Sequence, residues 1–494
     1  IPHVMGVRGL QVQNEFRYLT QRSEGRVEID ILPDDLVRKR ERYAGKYIHA
    51  HTFSTLWSGN VELRGVSDKD YLSDFGTSLG TTSLTHLPQN AEVNYRGPLW
   101  NFTARLNDHQ TVDKTIPLES RPYARLPQLL LSANTPTVSE RTQYHFSSEL
   151  VRFHRAGVSI TGNRLNLTPA VSYPVIRSYG FLIPKVGLYH IGYNLSGTSD
   201  TSPAMTLPFL SVDSGLYFDR DFTWGERGYT HTLEPRLHYL RAPHEPQDHF
   251  PNFDSGTPGT SFPGLFRDQR LGSGDRIGDA NQVTLALTSR ILDAEDGVER
   301  IRGSVGRTYY FADRRVNLPA GTTTDRSSDW VAEAAAKLRN HWFATGTAVV
   351  DRDTHKTLQS NVYLQYNPAR NKIVNVGQNH TRLGTHQRDI SFEWPLVRQW
   401  SIRARALDSL REDRSLESHV GLQYKTCCWA FRAIAGRRLF GIDTTVTPTR
   451  YTHAKFILLE LELTGLTAYK RGDLPDSPLK QSVFTSFPED RWTT

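Results

Sequence analysis

The sequence predicts an all-β chain, a large transmembrane antiparallel β-barrel of roughly two dozen strands, and three observations predict it. Side-chain polarity repeats with period two rather than 3.6 from end to end, as strands with one oily and one wet face require. Some connections are short while others are long and polar, the asymmetry of outer-membrane barrels. No apolar run approaches the roughly 18 residues of a membrane-spanning helix, and hydrophobic residues are only 37% of the chain, which excludes a helical membrane protein. With 21 Tyr, 22 Phe and 9 Trp the chain is too rich in rings to be disordered. At about 10 residues per strand and as many per connection, its 494 residues supply roughly two dozen strands around a wide lumen.

The start, Ile1-Pro2-His3, lacks the basic stretch and apolar core of a signal peptide, so none is expected in the chain. Pro2 precedes a strand expected over 9–20. Having no ladder N–H, it belongs at an edge or a weak seam, and a weak first-to-last seam in a closed barrel could open sideways into the bilayer. A proline that merely ends an irregular start fits equally well at this point. His49 and His51 share one strand face. Zinc could use them with a third ligand, but no Cys, Asp or Glu completes a recognised spacing, so no metal site is expected and the pair is read as part of an interface or the lumen.

The connection 241–280 is rich in Pro, Gly, Asp and His and is expected as a long loop outside the cell, with 314–328 as a second. Gly272, Gly274 and Gly278 lack the helix and the Lys and Ser/Thr of a phosphate loop and are read as flexible. Beyond them Val283, Leu285 and Leu287 oppose Gln282, Thr284 and Thr288. Further on, Ile390, Phe392 and Trp394 lead through 395–399 into Trp400, Ile402, Ala404 and Ala406, whose alternation with Arg403 and Arg405 sets two guanidinium groups on the polar side. Val420, Leu422 and Tyr424 turn through 425–428 into Trp429, Phe431 and Ala433. Trp394 and Trp400 flank one turn, Tyr424 and Trp429 the other, where an aromatic belt would sit. A final strand sets Ile457, Leu459, Leu461 and Leu463 against Glu460, Glu462 and Thr464.

Cys427 and Cys428 are sequence neighbours, poorly placed to bridge each other, so any disulfide goes elsewhere. A formal charge of +7 is dilute over this length, and no nucleic-acid partner is expected. There is no nucleophile elbow and no convergence of Ser, His and Asp, hence no catalytic residue, no cofactor and no expectation of an enzyme.

Several segments are more particular. Asn14-Glu15-Phe16-Arg17-Tyr18-Leu19, the stretch 228–236 (GYTHTLEPR), 264–268 (GLFRD), the run from Asp275 to Arg290, and Leu422-Gln423-Tyr424 with Cys427-Cys428 closely resemble the lipopolysaccharide-assembly outer-membrane protein family, LptD. The resemblance runs in order to about residue 467 and is least specific over 81–214.

It implies a barrel of about 26 strands, so 24–26 in all, over residues 1–467, with 468–494 as a C-terminal tail. It further implies receipt of lipopolysaccharide from a periplasmic bridge protein, its delivery to the outer leaflet of a Gram-negative outer membrane, and an LptE-like lipoprotein plug in the lumen. The family's N-terminal jelly-roll domain is not in this stretch, and the region from His3 onward looks like the second barrel strand. Cys427 and Cys428 match adjacent family cysteines that bridge to cysteines near or within that domain. Pro2 resembles a family proline that weakens hydrogen bonding at a lateral seam, whose other side would be 455–467. The gate would thus comprise Pro2, Ile457, Leu459, Leu461 and Leu463, and sugars would pass the lumen candidates Arg300, Arg302, Arg403, Arg405, Glu460 and Glu462. The alternatives are another large outer-membrane transporter such as a siderophore receptor, whose long N-terminal plug is not visible, a barrel-borne lipase or protease, and a soluble β-sandwich.

Overall fold

A computed structural model of the chain describes residues 2–5, 7–76, 79–135, 142–157, 160–272, 274–318, 321–338, 341–369, 371–443 and 450–463. Twenty-six strand segments join one sheet. The first nine are β1 (Pro2–Met5), β2 (Gly9–Leu19), β3 (Ser23–Asp35), β4 (Arg40–Thr52), β5 (Trp57–Val66), β6 (His86–Arg96), β7 (Trp100–Thr111), β8 (Ala124–Asn134) and β9 (Gln143–His154). The middle of the wall holds β10 (Thr161–Ser172), β11 (Val175–Arg177), β12 (Gly180–Ser196), β13 (Ala204–Leu216), β14 (Phe218–Trp224), β15 (Arg227–Ala242), β16 (Ala280–Asp293), β17 (Glu299–Tyr310) and β18 (Trp330–Leu338). It ends with β19 (Trp342–Val350), β20 (Thr357–Ala369), β21 (Lys372–Thr381), β22 (His386–Pro395), β23 (Trp400–Ser409), β24 (Arg414–Lys425), β25 (Trp429–Asp443) and β26 (Arg450–Leu463).

Every described pairing is antiparallel and between chain neighbours. β11 keeps the register of β10 against β12, and β14 keeps that of β13 against β15. The 26 segments are therefore 24 continuous strands, a large barrel within the expected range.

Alternation decides which face goes where. On β16, Gln282 and Thr284 are buried toward the inside while Leu285 and Leu287 are 45% and 40% exposed outward. Phe16, Ile29, Leu106, Val186, Val420 and Ile457 extend this exposed apolar surface around the wall. So much exposed hydrocarbon is costly in water and favourable in lipid, and a continuous ladder from β1 to β26 leaves few backbone groups unpaired there. Among the described residues no helix is long and apolar enough to cross a membrane.

The ends of the barrel differ. Connections 20–22, 97–99, 225–226, 396–399 and 426–428 lie at one end, and 67–85, 112–123, 243–279 and 311–329 at the other. Short turns mark the periplasmic end and long loops the outer end. The expected hairpins over 395–399 and 425–428 are present, and their rings gather at the short-turn end: Trp400 and Tyr424 are 4.9 Å apart and Tyr424 and Trp429 5.2 Å. Trp57, Tyr95 and Trp100 continue this belt.

The long loops depart from expectation. Segment 243–279 turns inward and buries Phe250, Phe253 and Ile277 against Phe153, Tyr193 and Leu240 on the inner wall, with the Phe153 and Phe253 rings stacked at 4.4 Å. Gly272, Gly274 and Gly278, expected to be flexible, are closely packed: a Cβ at Gly274 would collide with the Asn166 amide, and one at Gly278 would press on Arg270. Segment 311–329 lies on it, with Arg315 and Val316 donating backbone N–H to Asp279. The apolar side chains of 243–279 explain the difference: given an inner wall to bury them against, the loop gains more by folding in than by solvation.

Candidate functional site

The ladder of the described residues is interrupted between its first strand, β1, and its last, β26. β1 has 4 residues and pairs with β2 from Pro2↔Val12 to Met5↔Gly9, whereas β26 has 14 and pairs with β25 along its length. Among the described residues no register joins β1 to β26. Among the described residues the β26 edge is paired on its β25 side alone, and Pro2 in β1 has no N–H to offer a neighbouring strand. On the β26 side Ile457 and Leu459 are 80% and 64% exposed on the outer face. Leu461 and Leu463 pair with Phe431 and Trp429, and Glu460 and Glu462 with Arg432 and Ala430. The side chains of these four, like that of Pro2, lie outside the described residues, as do residues 464–467 of the expected seam strand and the expected tail 468–494.

The lumenal wall is polar and charge-balanced. Arg403 meets Glu393 at 2.7 Å and Arg405 meets Asp389 at 2.6 Å, both across β22 and β23 on the inner face. Arg236 with Asp213 and Arg105 with Glu92 repeat the arrangement elsewhere. Arg302 lies 3.6 Å from Glu299. Arg300 occupies a bulge beside the short-end turn 294–298 and binds Asp293 at 2.7 Å and Asp296 at 2.9 Å, so it stands at the periplasmic rim. These candidates are spread over β17, β23 and β26 rather than brought together. A guanidinium already held by a carboxylate grips a passing phosphate weakly, which suits a conduit better than a binding site.

Two charge clusters outside the candidates singled out from the sequence hold the interior in place. Segment 67–85 carries α1 (Tyr71–Phe75) and α2 (Leu79–Thr82). The buried Arg42 guanidinium donates to Asp68 at 2.8 and 2.9 Å, to Asp74 at 2.6 Å and to Asp35 at 3.1 Å, and Arg8 beside β1 reaches Asp35 and Asp74. Burial alone would raise the Asp68 carboxyl, but Arg42 outweighs it and holds it below the usual range. α2 approaches β25, so this segment, anchored on the N-terminal strands, straps the inner side of the seam. The signal in the sequence is the spacing of Tyr71, Leu72 and Phe75 with Asp68 and Asp74.

The second cluster pins 243–279. Arg164, 1% exposed, donates to Asp275 and Asp254 at 2.6 Å and to Glu149 at 2.7 Å, while Tyr193 donates to Asp275 at 2.8 Å. The backbone N–H groups of Phe253 and Asp254 donate to the other Asp275 oxygen at 2.8 Å.

Cys427 and Cys428 sit exposed in the turn between β24 and β25 at the short-turn end, their Sγ atoms 2.8 Å apart. The neighbouring thiol pushes Cys428 above the usual thiol range. His49 and His51 lie on the outer face near the same end, within 2.5 Å of the Tyr18 hydroxyl and 2.6 Å of the Ser23 hydroxyl. They belong to the interface rather than the lumen. Among the described residues no group of three or more His, Cys, Asp or Glu is placed to hold a metal ion.

The family described as "LptD: LPS transport system D" matches residues 40–400. The chain belongs to the LptD family. The LPS-assembly protein LptD of Nitrosospira multiformis is 36% identical over 495 residues, covering 97% of this chain and 52% of the relative. That of Nitrosomonas eutropha is 34% identical, covering 98% and 66%, and that of Nitrosococcus oceani 36% identical, covering 94% and 63%. The chain thus spans about half to two thirds of the length of the curated LptD relatives it matches. A ferric enterobactin receptor of Pseudomonas aeruginosa aligns over 92% of this chain and 79% of its own, at 10% identity and a TM-score of 0.41, a likeness too low to bear on fold or function. Family and barrel together place this LptD chain in the Gram-negative outer membrane.

Proposed function

We propose that this barrel delivers lipopolysaccharide to the outer leaflet, receiving it at the short-turn end and releasing it sideways through the seam between β1 and β26. The relatives' names supply the cargo. The observation that carries the exit route is that, among the described residues, β1 pairs with β2 and β26 with β25 while no register joins β1 to β26.

The cargo poses a physical conflict. Its acyl chains belong in lipid, while its sugars and phosphates are costly to bring into hydrocarbon. A polar lumen beside a join that can open resolves both: the head moves past paired charges such as Arg403 and Arg405 while the chains leave past Ile457 and Leu459, and no covalent bond is made or broken. Leu461, Leu463 and Pro2 belong to the same gate on this reading, Glu460 and Glu462 are its candidates along β26, and Arg302 and Arg300 lie nearer the entrance.

The partners this reading needs are a periplasmic bridge protein that hands on the cargo and an LptE-like lipoprotein plug in the lumen. On this reading Cys427 and Cys428, which are exposed at the short-turn end, bond to cysteines of an N-terminal domain, the normal fate of thiols in an oxidising compartment.

The test is a covalent lock. One cysteine is introduced in β1 and one at a facing position of β26, with each single variant as control, and newly made lipopolysaccharide at the cell surface is followed with and without reductant. Oxidation of the pair should stop delivery and reductant restore it. Delivery that continues through an oxidised, fully cross-linked seam contradicts lateral exit.

A further inference from the structure

The outer face of the last three strands carries a feature that a simple lipid-facing wall does not need. Cross-strand rows there run Ser418, Arg437, Lys455, then Val420, Ala435, Ile457, then Leu422, Ala433, Leu459. Arg437 and Lys455 face each other directly, and like charges in that position repel. Among the described residues neither has a carboxylate within ion-pair distance, and the Arg437 Nε donates only to the Ser418 hydroxyl, at 3.2 Å. Arg388 on β22, also outward, is by contrast paired with Asp408 at 3.0 Å. Two cations facing outward beside one another, without a counter-charge from the protein, ask for an anion from outside.

Below them runs an apolar groove. Val420 forms one wall, Ile457 the other and Ala435 the floor of a hollow of about 860 Å³ that reaches up to Arg437 and Lys455, and the row Leu422, Ala433, Leu459 continues the apolar surface below it. Arg437 lies eight residues above Trp429 in the periplasmic belt, which at ~3.3 Å per residue and a tilt of about 40° is roughly 20 Å. That sets the cations near the outer edge of an apolar band about 25 Å tall, at headgroup level, with the groove beneath at acyl depth.

We propose that this face of β24–β26 is a landing site for a phosphorylated, multiply acylated lipid of the outer leaflet, its phosphate held by Arg437 and Lys455 and one chain in the groove. The inference rests on the delivery reading above for the identity of the lipid, and it places the first stop of the delivered molecule on the strand that forms one side of the seam. A phosphate there cancels the repulsion between the two cations, so occupation is self-reinforcing.

The test uses the full chain purified in detergent, with lipid A bearing both phosphates, its dephosphorylated form and phosphatidylglycerol as probes, and bound lipid measured by native mass spectrometry. The wild-type chain should prefer phosphorylated over dephosphorylated lipid A by about tenfold, as one or two charge-assisted bonds allow. The variant R437Q/K455Q should lose that preference, R437K should keep most of it, and A435F, which fills the groove and leaves the charges, should weaken lipid A capture. Unfolded and folded barrels separate by gel mobility, so a variant that fails to fold is recognised and R437K and A435F decide. A preference unchanged in R437Q/K455Q, or phosphatidylglycerol displacing lipid A mole for mole, overturns the proposal. The seam lock separates the two readings: it should block delivery and spare this binding, so loss of either result indicts only its own reading.

Discussion

Arg164 meets three carboxylates, and if the guanidinium goes the buried Asp275 loses its ion-pair partner, as does Glu149, while Asp254 keeps Arg125 at 2.9 Å. Arg164→Met should therefore cost about 3–5 kcal/mol of loop docking, the penalty of stranding a buried charge. Limited proteolysis of the folded barrel should then cut within 243–279, where the wild-type chain resists. Acid should act on the same loop. Burial raises the Asp268 carboxyl, but His238 and Lys185 outweigh it and hold it below its ordinary value. A lowered folded pKa means stability present above the unfolded value of about 3.9 and lost as pH falls through the folded one. Asp275 on the same loop is pushed up by burial, so its contribution runs the opposite way and is lost as pH rises through its own pKa. Comparing Asp268→Asn with the wild type isolates the first effect: the wild-type loop should become protease-sensitive only below about pH 4, and the variant should lose that acid step. At this scale the sequence showed chemistry without place. The alternation over 400–406 put Arg403 and Arg405 on the lumenal side, whereas a bulge between Ile291 and Leu292, invisible in the alternation, set Arg300 at a turn.

At the scale of elements, the hairpins over 395–399 and 425–428 and the alternation of the last strand were readable because a strand's faces are fixed by local side-chain direction. The strap of α1 and α2 and the inward fold of 243–279 were not. They depend on contacts far apart in the chain, such as Arg164 with Asp275, separated by 111 positions. The strap ties Arg8 beside β1 to Asp74 and runs toward β25, so it resists separation of the two ends of the sheet. Asp68→Asn with Asp74→Asn should free it. Amides of 67–76 and of β1 should then exchange faster by about tenfold or more, as loss of one or two charge-assisted bonds implies, with β15 and β16 unchanged. Equal protection in the variant would mean that the strap leaves the seam alone.

For the whole molecule, two dozen strands with leucine, valine and isoleucine outward and ion pairs inward describe a cylinder with lipid outside and water within. Detergent removal should precipitate the chain, and a particle monodisperse in plain buffer would argue against the barrel. Fold class, the two unlike ends and the aromatic belt were legible from periodicity and loop length. The filling of the outer mouth was not, because composition records that a loop is polar and not that a wall awaits its few rings. Residue-resolved hydrogen exchange of the full chain in bilayer nanodiscs tests the claim of one weak join most directly. The account predicts that β1 and the free edge of β26 exchange orders of magnitude faster than β12 to β16. Uniform protection around the sheet, with β1 and β26 as slow as β15 and β16, would contradict it.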